Sequence, residues 1–395
     1  MAGDPPEGPS RVRRWATAMI VGLALAGALL VIRQPASSRA TSDFVVPYSA
    51  GRLVLAGHAN RVYDQAWLAP ELVRTAAGVP IDPTLPFSEP LALLAPFTIL
   101  ALFPVEVALR IWQGVSVLLL FAGIVTLQAL LPLGRRAPIT GLILLLAAIP
   151  TWSMLLEGQQ SALVLLGAAF AATALVGDQP WVALPGAALL ALKPQYLAPF
   201  LVLLLLRRHP RTMAYALCGS LIVLLSTGLA GGLPAFAAMG HNMLATNSQT
   251  PLRLNETWSG LLADVVPAPA QIPAALTVVL GGLVCAAILG IKLRGERLAL
   301  VAATTWLAVL ASPHTLPHDL VLLAVPAWCA TALYREGRLP SPLWGLIACD
   351  AAIMFDALDP PVRLGAIAMT AVLIAYAVAF MQRRRESVHR PAAAA

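Results

Sequence analysis

Asp43 heads the segment TSDFVVPYSAGRLVLAGHANRVYD, residues 41–64, shortly after an apolar run. A carboxylate there has two uses. It can cap the helix that follows by accepting a first-turn backbone N–H, or it can take the proton of an attacking hydroxyl as a general base held just above a bilayer. Lys193, in LKPQY, lies inside an apolar stretch, where an ammonium costs a few kcal/mol and usually faces a cavity or a partner. It either snorkels to the interface or holds an anionic group such as a phosphate. His314, His318 and Asp319 in SPHTLPHD form a polar knot. Its HxxxH spacing would place two imidazoles on one helical face, but Pro317 interrupts that turn, so hydrogen bonding or helix capping competes with metal binding. Glu157, Gln159 and Gln160 in EGQQS cap a helix junction or bind a polar substrate. Asn255, in an N-x-[ST] match, is kept as a polar contact.

These residues have to be positioned by a membrane protein. Of 395 residues, 59% are hydrophobic and 11% charged, against roughly 25% charged in soluble domains. Apolar runs near the ~20 residues that cross a bilayer recur from end to end. The net charge of +7 comes in short basic clusters between those runs, which are topology signals and not a nucleic-acid surface. Cys218, Cys285, Cys329 and Cys349 lie in apolar runs and form no CxxC pair, so they read as packing residues. There is no Walker A sequence, no GxGxxG after a strand, no HExxH and no nucleophile elbow, which leaves ATP-driven transport, dinucleotide chemistry and the common hydrolases without support.

The run at 15–32 follows RVRR and exceeds a typical signal-peptide core, so it reads as an uncleaved first helix with a cytoplasmic N-terminus. Arg135 and Arg136; Arg207, Arg208 and Arg211; Lys292, Arg294 and Arg297; Arg335 and Arg338; and Arg383, Arg384 and Arg385 fall on one side if the chain crosses an even number of times. About twelve transmembrane helices achieve this, with the short, Pro96-interrupted stretch 90–104 set aside as a re-entrant or half-buried hairpin. The run 181–206 must then cross twice, turning at Lys193-Pro194. The expected organisation is a cytoplasmic tail over 1–14, one membrane domain over 15–382, and a basic cytoplasmic tail over 383–395. The first outer loop, 33–88, is expected to hold two interfacial helices. Ser42 or Asp43 caps one that runs to Gly57, and Asp64 caps a second that runs to Gly78. Nearly all the polar chemistry then collects on the non-cytoplasmic face.

In order and spacing these features resemble glycosyltransferase family 87, polytopic enzymes of the GT-C superfamily that include polyprenyl-phosphate-mannose-dependent mannosyltransferases. Asp43, Tyr48, Gly57, Tyr63 and Asp64 match a first-loop pattern. GQQS is similar to Gly-Gln-x-Asn with Ser161 in the last place, and LKPQY is similar to Leu-Lys-x-Gln-Pro with Tyr196 for proline. NETWSG resembles Asn-x-Ser-x-x-Gly through Asn255, Thr257 and Gly260, and SPHTLPHDL resembles a Ser-Pro stretch that ends in an acid. FSEP departs from Tyr-x-Pro-Pro, keeping only Pro90.

The resemblance implies an all-α, GT-C-like bundle in a bacterial cytoplasmic membrane. It implies transfer, with inversion, of a hexose or pentose from a polyprenyl-phosphate donor to a lipid or glycan acceptor, on the outer face and without a metal or other cofactor. Asp43 would be the catalytic base. Lys193, Gln195, His314, His318, Arg253 and Arg363 would attend the donor phosphate, and Tyr48, Tyr63, Gln159, Gln160, Asn255 and Asp319 would line the substrate pocket. A lipid-linked glycan polymerase or ligase, and a transporter or flippase with broken helices, are the alternative uses of such a chain.

Overall fold

The computed structural model describes residues 11–35, 38, 42–177, 179–249, 254–263, 265–356 and 363–389. Among them every regular element is a helix and there is no strand, as expected where backbone N–H and C=O groups must be satisfied within each segment. The helices are α1 (Arg11–Ile32), α2 (Val45–Leu55), α3 (Gln65–Thr75), α4 (Leu94–Leu100), α5 (Val105–Leu130), α6 (Ala137–Ala147), α7 (Ile149–Glu157), α8 (Ser161–Val176), α9 (Ala183–Leu190), α10 (Pro194–Leu206), α11 (Pro210–Gln249, kinked at Gly231 and Gly232), α12 (Trp258–Ala263), α13 (Ala268–Lys292), α14 (Arg297–Leu310), α15 (Ala324–Arg335), α16 (Pro342–Asp356) and α17 (Leu364–His389).

By length and apolar composition four segments can cross a membrane: 105–130, 210–229, 270–292 and 364–384. A fifth is α6 with α7 if that pair, bent by 72°, counts as one span. The other apolar helices have 10–17 residues, short of the ~20 that reach across the hydrocarbon layer. The chain is a membrane protein, but its apolar runs are broken into short helices more often than periodicity alone indicates.

The breaks have identifiable causes. Pro194 at the first position of α10 cannot continue a preceding helix, so α9 and α10 meet in the turn that contains Lys193. Gly158 ends α7 in the left-handed region, with φ 62° and ψ 34°, which a residue with a side chain adopts only at a cost. Trp112 on α5 donates from Nε1 to the Gly158 carbonyl at 2.8 Å, and Gln113 donates to the Leu155 carbonyl at 2.8 Å. The long helix α5 thereby fixes the end of α7 and the start of α8, against which it also packs.

The first loop differs from expectation in two respects. Val45 begins α2 with Phe44 as its cap and no side-chain capping bond, so neither Ser42 nor Asp43 caps it. The helix also buries most of its length, including Val45, Tyr48, Ala50, Gly51 and Leu53, where a helix lying in the interface would show one wet face. It sits on α4, so closely that a Cβ at Gly51 would lie 2.7 Å from the Phe97 carbonyl. Asp64 does cap α3, accepting from the Ala66 N–H at 3.0 Å, and that helix ends at Thr75. The stretch 90–104 forms α4 and a tight turn into α5.

Candidate active site

The polar core is assembled where α7 gives way to α8. Three consecutive residues of that junction each touch a different carboxylate. Gln159 donates from Nε2 to Asp43 Oδ2, Gln160 Nε2 lies 3.2 Å from Glu89 Oε1, and Ser161 Oγ lies 2.5 Å from Asp319 Oδ1. The backbone completes the arrangement. Phe44 N donates to the Glu157 carbonyl at 2.9 Å, and Asp43 N to Glu157 Oε2 at 3.4 Å. The side chain of Asp43 is therefore turned to the junction and away from the first turn of α2.

Lys193 closes the other side. Its Nζ lies 2.5 Å from Asp319 Oδ1, and the Asp319 side chain has no solvent exposure. The ammonium is thus a paired charge and not a bare one. An ammonium carries three N–H donors, so the bond to Asp319 leaves others for a ligand. Asp319 is presented by a 3₁₀ segment, Pro317–Leu323, that packs against α7, α8 and α14. Its Oδ2 accepts no hydrogen bond among the described residues and stands 3.8 Å from His318 Nε2.

Charge states follow from these surroundings. Burial alone would raise the Asp319 carboxyl, but Lys193, His318 and the bond from Ser161 hold it below the usual carboxylate range. Asp43 moves the other way. Asp43 is exposed as a residue, yet protein atoms crowd its carboxylate, and this desolvation raises its pKa against the lowering effects of Gln159 and Lys193. Glu89 is raised for the same reason, with Lys193 again opposing. Burial lowers His314, and it lowers His318 to about 3, so both imidazoles are neutral at pH 7 and serve as hydrogen-bonding groups.

Most of the residues singled out in the sequence meet here. Asp43, Gln159, Gln160, Lys193, His318 and Asp319 form the recess. Gln195 lies 3.4 Å from the His314 carbonyl through Nε2. Buried Asn255 holds the same loop, accepting from Thr315 N at 3.1 Å, so its contact is with the protein. Tyr63 donates to the Glu89 carbonyl at 2.9 Å and acts on the recess through Glu89.

Tyr48 is not brought to the recess. Its ring is buried beside Phe44 and its hydroxyl donates to the Phe103 carbonyl at 2.7 Å. Arg363 joins a neighbouring cluster, donating to the Asp356 carbonyl at 3.0 Å beside Glu256. Arg253 lies outside the described residues. Glu89 was missed by residue-level reading. Its signal was a lone acid in FSEP, beside a chain segment otherwise free of charge.

A helical membrane protein whose short helices converge on a carboxylate, a paired ammonium and neutral imidazoles has the parts of a group-transfer site. The chain belongs to glycosyltransferase family 87, whose model matches residues 87–313, more than half of its length. No curated protein matches it. The matched stretch contains Glu89, Gln159, Gln160, Ser161, Lys193, Gln195 and Asn255, whereas Asp43 and Asp319 lie on either side of it.

Proposed function

We propose that this glycosyltransferase moves a hexose or pentose from a polyprenyl-phosphate donor to a lipid or glycan acceptor, with inversion. Asp43 removes the proton from the acceptor hydroxyl as its oxygen forms the bond to the anomeric carbon. The bond from that carbon to the phosphate oxygen breaks, and polyprenyl phosphate leaves with the electron pair. Lys193, oriented by Asp319, donates to the oxygens on which charge develops. Neutral His314 and Gln195 complete the phosphate side, and Gln160 with Glu89 engages sugar or acceptor hydroxyls. In this reading residues 15–382 form one domain of about twelve crossings in a bacterial cytoplasmic membrane. The basic clusters are cytoplasmic and the recess opens outward.

The observation that supports the reading best is the junction 159–161, which ties the exposed base, a second acid and the buried partner of Lys193 to three adjacent residues. The test is Asp43→Asn in purified full-length protein supplied with radiolabelled polyprenyl-phosphate mannose and membrane-lipid acceptors. Loss of the base lowers turnover roughly 10²- to 10⁴-fold with the protein still folded. Equal transfer by the variant refutes the assignment. Because Asp43 must be ionised to act and its pKa is raised, wild-type turnover rises with pH through a limb above the usual carboxylate range. Gln159 lowers that pKa, so Gln159→Leu moves the limb to higher pH.

A further inference from the structure

Just before α12 the chain buries an acid that takes no part in the recess. Glu256 is 2% exposed, and its Oε2 has no hydrogen-bond donor among the described residues. What stands beside it is a second buried acid. A Cβ built on Gly365 would lie 2.5 Å from Glu256 Oε2 and 2.9 Å from Asp356 Oδ2. The two oxygens thus converge over the first turn of α17, and the carboxyl groups are hydrogen-bonded to each other. Two carboxylates cannot make that contact without a proton between them.

Which acid carries the proton follows from the donors around them. Asp356 Oδ1 accepts from Leu364 N at 2.8 Å, and Oδ2 from Gly365 N at 2.6 Å. Its oxygens already serve as acceptors at a helix N-terminus, where negative charge is favoured. The hydrogen therefore belongs to Glu256. Burial, then Asp356, raises Glu256 to about 9, with Arg363 opposing. The other ionisable groups on the surrounding elements are engaged elsewhere. Cys349 and Asp350 lie nearly two turns before Asp356 on α16, where Asp350 accepts from Ile149 N at 3.1 Å. Tyr376 donates to the Ser341 carbonyl at 3.2 Å, Asp319 holds Lys193, and His314 and His318 are neutral. α12 carries no charge, and α17 none before Arg383.

The same residue grips the recess. Glu256 N donates to the Thr315 carbonyl at 2.9 Å, while Asn255 Oδ1 accepts from Thr315 N at 3.1 Å. Thr315 is held on both sides of its backbone, and its hydroxyl meets that of Tyr196, three residues after Lys193, at 2.8 Å. One residue back, the His314 carbonyl accepts from Gln195. Trp258 Nε1 donates to Thr370 Oγ1 at 2.8 Å and fastens the next turn to α17.

Given the reading of the recess as the transfer site, on which this rests, we propose that the proton shared by Glu256 and Asp356 makes Glu256 a positioning residue: it fastens the start of α17 to the loop that presents His314, His318 and Asp319. When hydroxide takes that proton from the Glu256 oxygen, two carboxylates face each other in a buried space. Glu256 then moves off, and its backbone N–H leaves the Thr315 carbonyl. Turnover therefore has an alkaline limb near pH 9, set by a group that touches no substrate, besides the rising limb of Asp43.

The test uses full-length protein in neutral detergent and two readouts. One is protection of residues 312–319 from hydrogen exchange at pH 7 and pH 10, relative to the unfolded peptide. The other is transfer from radiolabelled polyprenyl-phosphate mannose to membrane-lipid acceptors as a function of pH. In wild type, protection is lost at pH 10 and turnover falls roughly tenfold per pH unit beyond the limb, as for one essential proton. Glu256→Gln keeps a donor for Asp356, so protection persists at pH 10 and the alkaline limb is absent. Glu256→Leu has no donor; protection is lost already at pH 7 and kcat falls roughly 10²-fold, as for a displacement of ~1 Å. If Glu256→Leu does not fold, Glu256→Gln decides alone. An alkaline limb or a loss of protection at pH 10 that is unchanged in Glu256→Gln, or full protection in Glu256→Leu, overturns the proposal. Absence of transfer by wild type at every pH refutes the donor reading instead, and hydrogen exchange still decides whether Glu256 holds the loop.

Discussion

Replacing Lys193 by methionine keeps an unbranched side chain only one atom shorter and removes its charge. The partner left behind is the severe case for an ion, since the Asp319 side chain is wholly buried and its Oδ2 accepts no hydrogen bond among the described residues. Removing one member of a buried pair typically costs about 3–5 kcal/mol. Two features favour the lower end here: Ser161 Oγ still donates to Oδ1 at 2.5 Å, and the Lys193 side chain is already 11% exposed. The expected loss is therefore ~3 kcal/mol, with Asp319 taking up a proton to escape part of it. Asp319→Asn leaves an ammonium without its carboxylate, but on a side chain that is 11% exposed, and costs less. In Lys193→Met/Asp319→Asn no buried charge is left unpaired and Ser161 keeps a partner, so the double variant recovers most of the loss. Unfolding in mixed micelles of ionic and neutral detergent, followed by the fluorescence of the nine tryptophans, gives the double-mutant cycle. A coupling of about 2–3 kcal/mol is expected. Coupling below ~0.5 kcal/mol, within ordinary additivity, would mean that the pair is not ionic and that Lys193 faces the recess alone.

Two further perturbations test what holds the recess. Gly158→Ala places a side chain at φ 62°, where its Cβ would lie 2.6 Å from Phe44 Cβ and 2.8 Å from Leu109 Cδ1. The left-handed backbone costs about 1–2 kcal/mol. Phe44 adjoins Asp43, so turnover falls further than stability does, by roughly 10²-fold for a displacement of ~1 Å; equal, small losses in both would separate Gly158 from the site. Glu256 is raised from 4.5 to about 9, first by burial and then by Asp356 beside it, while Asp356 accepts from Leu364 N at 2.8 Å and Gly365 N at 2.6 Å. A raised folded-state pKa contributes stability that is complete below 4.5 and is lost progressively as pH rises to about 9. Glu256→Gln removes that dependence. The stability of wild type relative to Glu256→Gln should decline between pH 5 and pH 9, and parallel profiles would show that Glu256 is not protonated in the fold.

The turn at Lys193 was legible because 26 apolar residues cannot cross twice without a break, and Pro194 marks where it falls. Asp64 as a cap was legible because its partner, Ala66, is two residues away. Asp43 was ambiguous for the opposite reason. Whether its carboxylate caps a helix or faces a cavity depends on side-chain direction, and the deciding partner, Gln159, lies 116 residues further on. The pairing of Lys193 with Asp319 spans 126 residues. Sequence marked both as polar residues in apolar surroundings, and such residues demand a partner, yet nothing local says which one. Helix number was hardest to read, because hydropathy registers how far an apolar run extends and not where it bends. The run 137–157 reads as one span and folds as two helices at 72°.

The fold explains why the bends occur at the chemistry. A transmembrane helix satisfies its own backbone and presents side chains to its neighbours, but it offers no end within the layer. Breaking α7 from α8 at Gly158, and α9 from α10 at Pro194, creates helix ends where Gln159, Gln160, Ser161 and Lys193 leave the cylinder and point to a common space. Each break exposes backbone that must be satisfied nearby. Trp112 and Gln113 do this for the first break, taking the carbonyls of Gly158 and Leu155. Tyr196 N, bonded to the Lys193 carbonyl at 3.0 Å, does it for the second. The residues that repair the breaks therefore also set the geometry of the recess. Substituting Gln113, which touches none of the carboxylates, should disturb turnover through the position of the 158–160 junction.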